Sequence, residues 1–161
     1  MLKKCRNILR NEKGLTLIEL LAVVVILGII AAIAVPSIGG LIDNSKKDAH
    51  VANAQQMVNG ARMAVTTDLN LQTGTKVLTL GYLEANDFVE KIKDPDGTID
   101  SYERGGTTVV GTVPTDASSY VVVVDGKITS VKLVNNTKNR GVQTVGNAAV
   151  DVNDLKRGSV N

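Results

Sequence analysis

The sequence predicts an α+β protein. A long N-terminal helix, with a transmembrane half and an amphipathic half, packs against a small antiparallel β-sheet. Three observations point there. From Leu20 to Val35 all sixteen residues are apolar or Gly. Beyond Ile42, Val51, Ala54, Val58, Ala61 and Val65 recur at intervals of three and four with polar residues between them, which is the period of a helix with one shallow apolar face. Near the C-terminus, "SSYVVVVDGKITSVKLV" reads as two strands around a turn.

The first fourteen residues carry Lys3, Lys4, Arg6, Arg10 and Lys13 against Glu12, a net +4 out of the chain's +2, so the remainder is −2. That balance does not describe a basic nucleic-acid-binding body. The single cysteine, Cys5, lies in this basic leader, so the rest of the chain forms no internal disulfide and must be held by packing or assembly.

Leu15 to Ile42 is long enough to cross a hydrocarbon core of about 30 Å at about 1.5 Å per residue. The basic residues in front of it and the balanced Asp43, Lys46, Lys47 and Asp48 behind it place the N-terminus in the cytoplasm and the body outside. A secretory signal peptide fits poorly, because no small-residue cleavage site and polar mature start follow the apolar run. A plain single-pass anchor leaves Glu19 unexplained, since a carboxylate at mid-membrane costs roughly 2.5–3.5 kcal/mol.

Gly14 followed by "LTLIE" and the long apolar helix resembles the class III signal of type IV prepilins. The match covers roughly residues 1–40, and the remainder resembles the family in architecture alone. The resemblance implies a leader, 1–14, removed by a prepilin peptidase after Gly14, N-methylation of the new terminus Leu15, and retention of the apolar segment 15–42 as the filament-core helix. Residues 43–67 continue that helix into a globular domain, 68–161. Phe is the family's usual residue at the position of Leu15. The implied partners are further copies of this chain in a helical filament, the peptidase/N-methyltransferase, an assembly platform protein with its ATPase, and minor pilins. The membrane holds the subunit first, and the extracellular pilus holds it afterwards. A disulfide-free major pilin of Gram-positive type, serving adhesion, surface motility or aggregation, is the leading expectation. A competence or type II secretion pseudopilin and a monomeric membrane-anchored binding module are the alternatives.

Cleavage after Gly14 creates an amine four residues before Glu19. The amine can pair with Glu19 of its own chain or, in a staggered bundle, with that of a neighbouring copy; the pair acts as a register device, because a buried charge is tolerated only when paired. Gly28 lowers helix propensity by about 1 kcal/mol relative to Ala, and Pro36 removes an amide donor. By the resemblance, the segment between them loosens on assembly.

The helix is expected to end at about Thr67. Residues 68–81 read as a connection, with a short helix from about Tyr82 to Lys91. "KDPDGTID" reads as a tight turn. Its Asp94, Asp96 and Asp100 form a weak calcium candidate, since related pseudopilins bind calcium in this general region, but the EF-hand spacing is not met. Thr107–Val113 is expected as a strand ended by Pro114, Tyr120–Val124 and Lys127–Val134 as a hairpin around a type I′ turn at Asp125-Gly126, and Ala148–Val152 as an edge strand. His50, the only histidine, is expected to be a solvated helical residue. There is no catalytic constellation, nucleotide-binding motif or nucleophile elbow. The chain is expected to be a peptidase substrate rather than an enzyme, with no cofactor.

Overall fold

The computed structural model describes residues 16–97, 101–136 and 140–161. The chain divides into two compact units, Met1–Asp43 and Asn44–Asn161. Helix α1, Leu2–Thr67, runs through Gly28 and Pro36 and ends at the residue predicted.

The described part of the first unit is bare helix. Its large apolar side chains from Leu17 to Ile42 are 49–71% exposed, so this surface needs a cover that one copy of the chain does not supply.

The second unit is built on the last six turns of α1. Ala54, Met57, Val58, Ala61, Ala64 and Val65 are buried against one face of the sheet. The sheet is antiparallel and five-stranded: β1 (Thr75–Thr79), β2 (Tyr120–Val124), β3 (Lys127–Val134), β4 (Gly141–Val142) and β5 (Val150–Asp151). The order is β1-β2-β3-β4, with β5 also on β3. Period-two alternation sorts the side chains of β2. Val121 and Val123 join the core under α1, whereas Tyr120 and Val122 join Val77 in a second cluster on the opposite face.

The hairpin forms as predicted. Asp125 (φ 48°) and Gly126 (φ 74°) both take the left-handed backbone that a type I′ turn requires. Asp125 Oδ1 also accepts the Gly74 N–H at 2.9 Å. A bulge interrupts the β2–β3 register between Val122 and Val123, and opposite it Thr129 Oγ1 donates to the Val122 carbonyl at 3.3 Å.

Four expectations need correction. Residues 75–79 are not a connection but strand β1, paired with β2 along its whole length. The short helix, α2, spans Leu80–Ala85 instead of Tyr82–Lys91. Thr79 caps its start by accepting the Tyr82 N–H at 3.1 Å, and Asp87, at φ 59°, ends the helical path. Thr107–Val113 is not a strand, since only Val110 pairs, in an isolated bridge to Val77, and Gly111 and Pro114 follow before a ladder extends. The edge strand at 148–152 contracts to β5, and β4 was not foreseen.

Gly141 has φ 152°, and a Cβ there would stand 1.9 Å from the Leu133 carbonyl oxygen. Backbone meets backbone, so neither side can yield as a rotamer does. Gly141→Ala is expected to separate β4 from β3 and to cost on the order of 2–4 kcal/mol, read as a lower urea midpoint. An unchanged midpoint would show that the close approach is unimportant.

Candidate functional site

Two places in the fold carry ionisable groups where apolar ones would be expected. The first is Glu19, on the exposed apolar stretch of α1, one helical turn beyond Leu15. Gly28 and Pro36 both lie within continuous helix, and a Cβ at Gly28 would meet nothing within 4 Å. Gly14 and Leu15 lie outside the described residues.

The second is a polar cluster inside the body, where His50 is fully buried rather than solvated. Lys46, His50 and Asn53 occupy successive turns on one side of α1, and the Asp94–Asp96 turn, Tyr102, Asn135 and Arg140 meet them. His50 Nε2 stands 3.1 Å from Asp96 Oδ2, and its Nδ1 stands 2.8 Å from the Tyr102 hydroxyl. A carboxylate only accepts, so Nε2 carries the proton, and the Tyr102 O–H donates to Nδ1. The Asn53 amide completes the relay by donating to the Tyr102 oxygen at 3.0 Å and to the Lys93 carbonyl at 2.9 Å.

Asp96 receives cations as well. Lys46 Nζ is 2.9 Å from Oδ1, and Arg140 Nε is 3.4 Å from Oδ2. Burial pushes the Asp96 carboxyl up, but the hydrogen bonds from His50 and Lys46 and the charges of Arg140 and Lys46 outweigh it and hold the group down at about 2. Tyr102 moves the other way. Burial raises its pKa, the Asn53 hydrogen bond lowers it in part, and the charges of Asp94 and Asp96 raise it further.

The calcium candidate of the sequence is Asp94, Asp96 and Asp100. Asp100 lies outside the described residues. Asp94 and Asp96 do converge with His50, their ligand atoms all within 4.8 Å of one another. The donor set does not fit a hard cation, however, because its oxygens are committed. Asp94 Oδ1 accepts the Asp96 N–H at 2.9 Å, and Asp94 Oδ2 accepts the Asn135 amide at 3.0 Å. Two carboxylates already face the two cations Lys46 and Arg140, so a divalent ion would add charge that nothing there balances. The arrangement can stitch the 94–96 turn, Asn135, Arg140 and α1 together. Its one hydroxyl beside a base, Tyr102 on His50, is buried and only 2% exposed.

These features define a class: an α+β protein whose N-terminal helix is apolar and uncovered in one unit and forms the spine of a sheet-backed body in the other. Residues 9–35 match the prokaryotic N-terminal methylation motif, which spans Gly14, Leu15 and Glu19. Motif and fold together support a type IV pilin-like prepilin. The motif implies processing by a prepilin peptidase and handling by pilus-type assembly machinery, and the helix 16–67 is long and apolar enough to cross a membrane. Comparison with curated proteins and with solved structures gives no match.

Proposed function

We propose that this chain is the structural subunit, the major pilin, of an extracellular type IV pilus of the disulfide-free Gram-positive kind. The observation that carries the reading is the placement of Glu19 at the head of an apolar helical surface, one turn past a Gly14–Leu15 junction inside the matched motif. Cleavage there frees an amine and keeps the helix. The subunit waits in the membrane with its N-terminus cytoplasmic, and the assembly platform and its ATPase draw it into a helical bundle of identical helices. The Leu15 amine and Glu19 set the axial offset in that bundle, and the Gly28–Pro36 segment loosens as lipid is exchanged for protein. The filament then serves attachment, surface movement or aggregation.

The test is to purify the sheared surface fraction, view it by electron microscopy and measure the intact mass of its main protein. Filaments of a chain that begins at Leu15 and carries one N-methyl group are expected. An uncut chain, or a cut elsewhere, would remove the reading.

A further inference from the structure

Residues 104–118 form a long loop with closed ends. The Ser119 N–H donates to the Glu103 carbonyl at 2.7 Å, and beside them the Gly81 N–H donates to the Arg104 carbonyl at 2.7 Å. A loop of this length without helix or strand is uncommon unless it has a function. Its outward limb runs along β1, which stands at the end of the sheet order and has β2 on one side only. Val77 exchanges both backbone hydrogen bonds with Val110, at 2.7 and 3.2 Å. That pair fixes a register, and it shows that the odd-numbered residues of β1 turn their backbone groups away from β2. The side chains beside the bridge already alternate as those of a strand do. Val109 packs on the core under α1, to which Leu78 belongs, and Val110 packs on the outer cluster with Val77.

The two ends of this short register differ. Toward α2 it is blocked, because the Thr79 hydroxyl accepts the Tyr82 N–H and donates to the Gly106 carbonyl, which pins the loop there without a ladder. Toward the start of β1 it is open. Carried on by two residues, the register sets Thr112 opposite Thr75; both are exposed, and the bend at 111–112 separates them. Gly111 stands in that bend, and a Cβ there would meet nothing within 4 Å, so no packing around Gly111 holds the bend in place.

We propose that residues 107–113 are a strap poised to close on the open edge of β1. It moves between the single bridge and a closed form in which Thr75 and Thr112 exchange their backbone hydrogen bonds, with Gly111 as the joint that straightens. Closing adds one hydrogen-bonded pair and costs the backbone freedom of Gly111 and Thr112. These terms are of similar size, so the two forms lie close in free energy. An open edge is a template for pairing with another chain, and the closed strap denies it. The chain's own strap is favoured over a strand from a second copy because Val110 already holds the register on Val77.

The test is residue-resolved amide hydrogen exchange, read by NMR on the full chain in detergent micelles. Val77 and Val110 are expected to be protected, Thr107 and Thr108 to exchange freely, and Thr75 and Thr112 to lie between them. Gly111→Val, which favours extended backbone in open space, should slow exchange at Thr75 and Thr112 together by about twofold or more. Thr112→Pro removes one of the two donors of the closed pair. It should return Thr75 to free exchange while Val77 stays protected, and it serves if Gly111→Val disturbs the fold. Free exchange at Thr75 that neither variant alters, or slowing at Thr112 without slowing at Thr75, would overturn the proposal. Protection of Thr75 that grows with protein concentration would also overturn it, by assigning the edge to a second copy.

Discussion

A Glu19→Val chain is expected to enter the membrane as well as the wild type does and to give no filaments. The two outcomes separate because the carboxylate acts against one step and for the other. In lipid it is a burden of roughly 2.5–3.5 kcal/mol, so its removal eases insertion. In the proposed bundle it would answer the amine at Leu15, and removing one partner of a buried pair costs about 3–5 kcal/mol. At about 1.4 kcal/mol per tenfold, that is at least a hundredfold in subunit affinity, applied at every addition to the filament. Alkaline extraction of membranes reads the first outcome, and electron microscopy of the sheared fraction reads the second. Wild-type filament yield from this variant would remove Glu19 from assembly. A chain left uncut after Gly14 should fail in the same way, since its Leu15 has no free amine.

The elements legible in the sequence were those fixed by strictly local rules. The helix end at Thr67 follows from the point where the three-and-four spacing of Val58, Ala61 and Val65 stops. The hairpin follows from Asp125-Gly126, because few other residue pairs take positive φ twice at low cost. What was misread depended on distant partners. Strand β1 has an unremarkable composition between two glycines, and it is a strand because the continuous Val run of β2 offers it five consecutive ladder positions. Thr107–Val113 has better strand residues and lies along the open edge of β1, but bends at 107–108 and 111–112, on either side of Val110, hold it to one bridge.

His50 shows the same limit at the level of the site. Isolated among Asp48, Ala49 and Val51, it reads as a polar helix residue. Its signal lay in register rather than in residue type, for it stands four residues before Ala54, so the buried stripe of α1 extended back one turn lands on it. A polar residue in that register must have buried partners, and Lys46 and Asn53, one turn to either side, mark where they converge. No sequence rule then names Asp96, Tyr102 and Arg140, because the fold brings them from as far as ninety positions along the chain. The Asp-rich turn was noticed for its carboxylates, which suggest a metal until their counter-charges are in view.

Asp96→Ala is expected to be strongly damaging to the body. It leaves His50 Nε2 without its acceptor and Lys46 and Arg140 without their shared carboxylate. Stranding a buried charge costs about 3–5 kcal/mol, and partial exposure of the Lys46 and Arg140 side chains (35% and 17%) moves the expectation to about 3. Against a typical total of about 5–15 kcal/mol, that lowers the melting temperature by roughly 10–20 °C. Lys46→Met, which removes a half-exposed partner, should cost about 1 kcal/mol or less. The pH dependence distinguishes a charge effect from simple loss of packing. The folded carboxyl titrates at about 2, below its ordinary value of 3.8, so its stabilisation is complete above pH 4 and is lost as the pH falls toward 2. Thermal melts of the wild type should therefore decline through that window, on the order of 1–2 kcal/mol from this group. An Asp96→Asn chain, matched in shape but without charge, should lack this part of the decline, so the gap between the two narrows as pH 2 is approached. A gap of constant size from pH 5 to pH 2 would mean that Asp96 acts through packing and neutral hydrogen bonds, and that its ion pairs with Lys46 and Arg140 contribute little to holding the turn against α1.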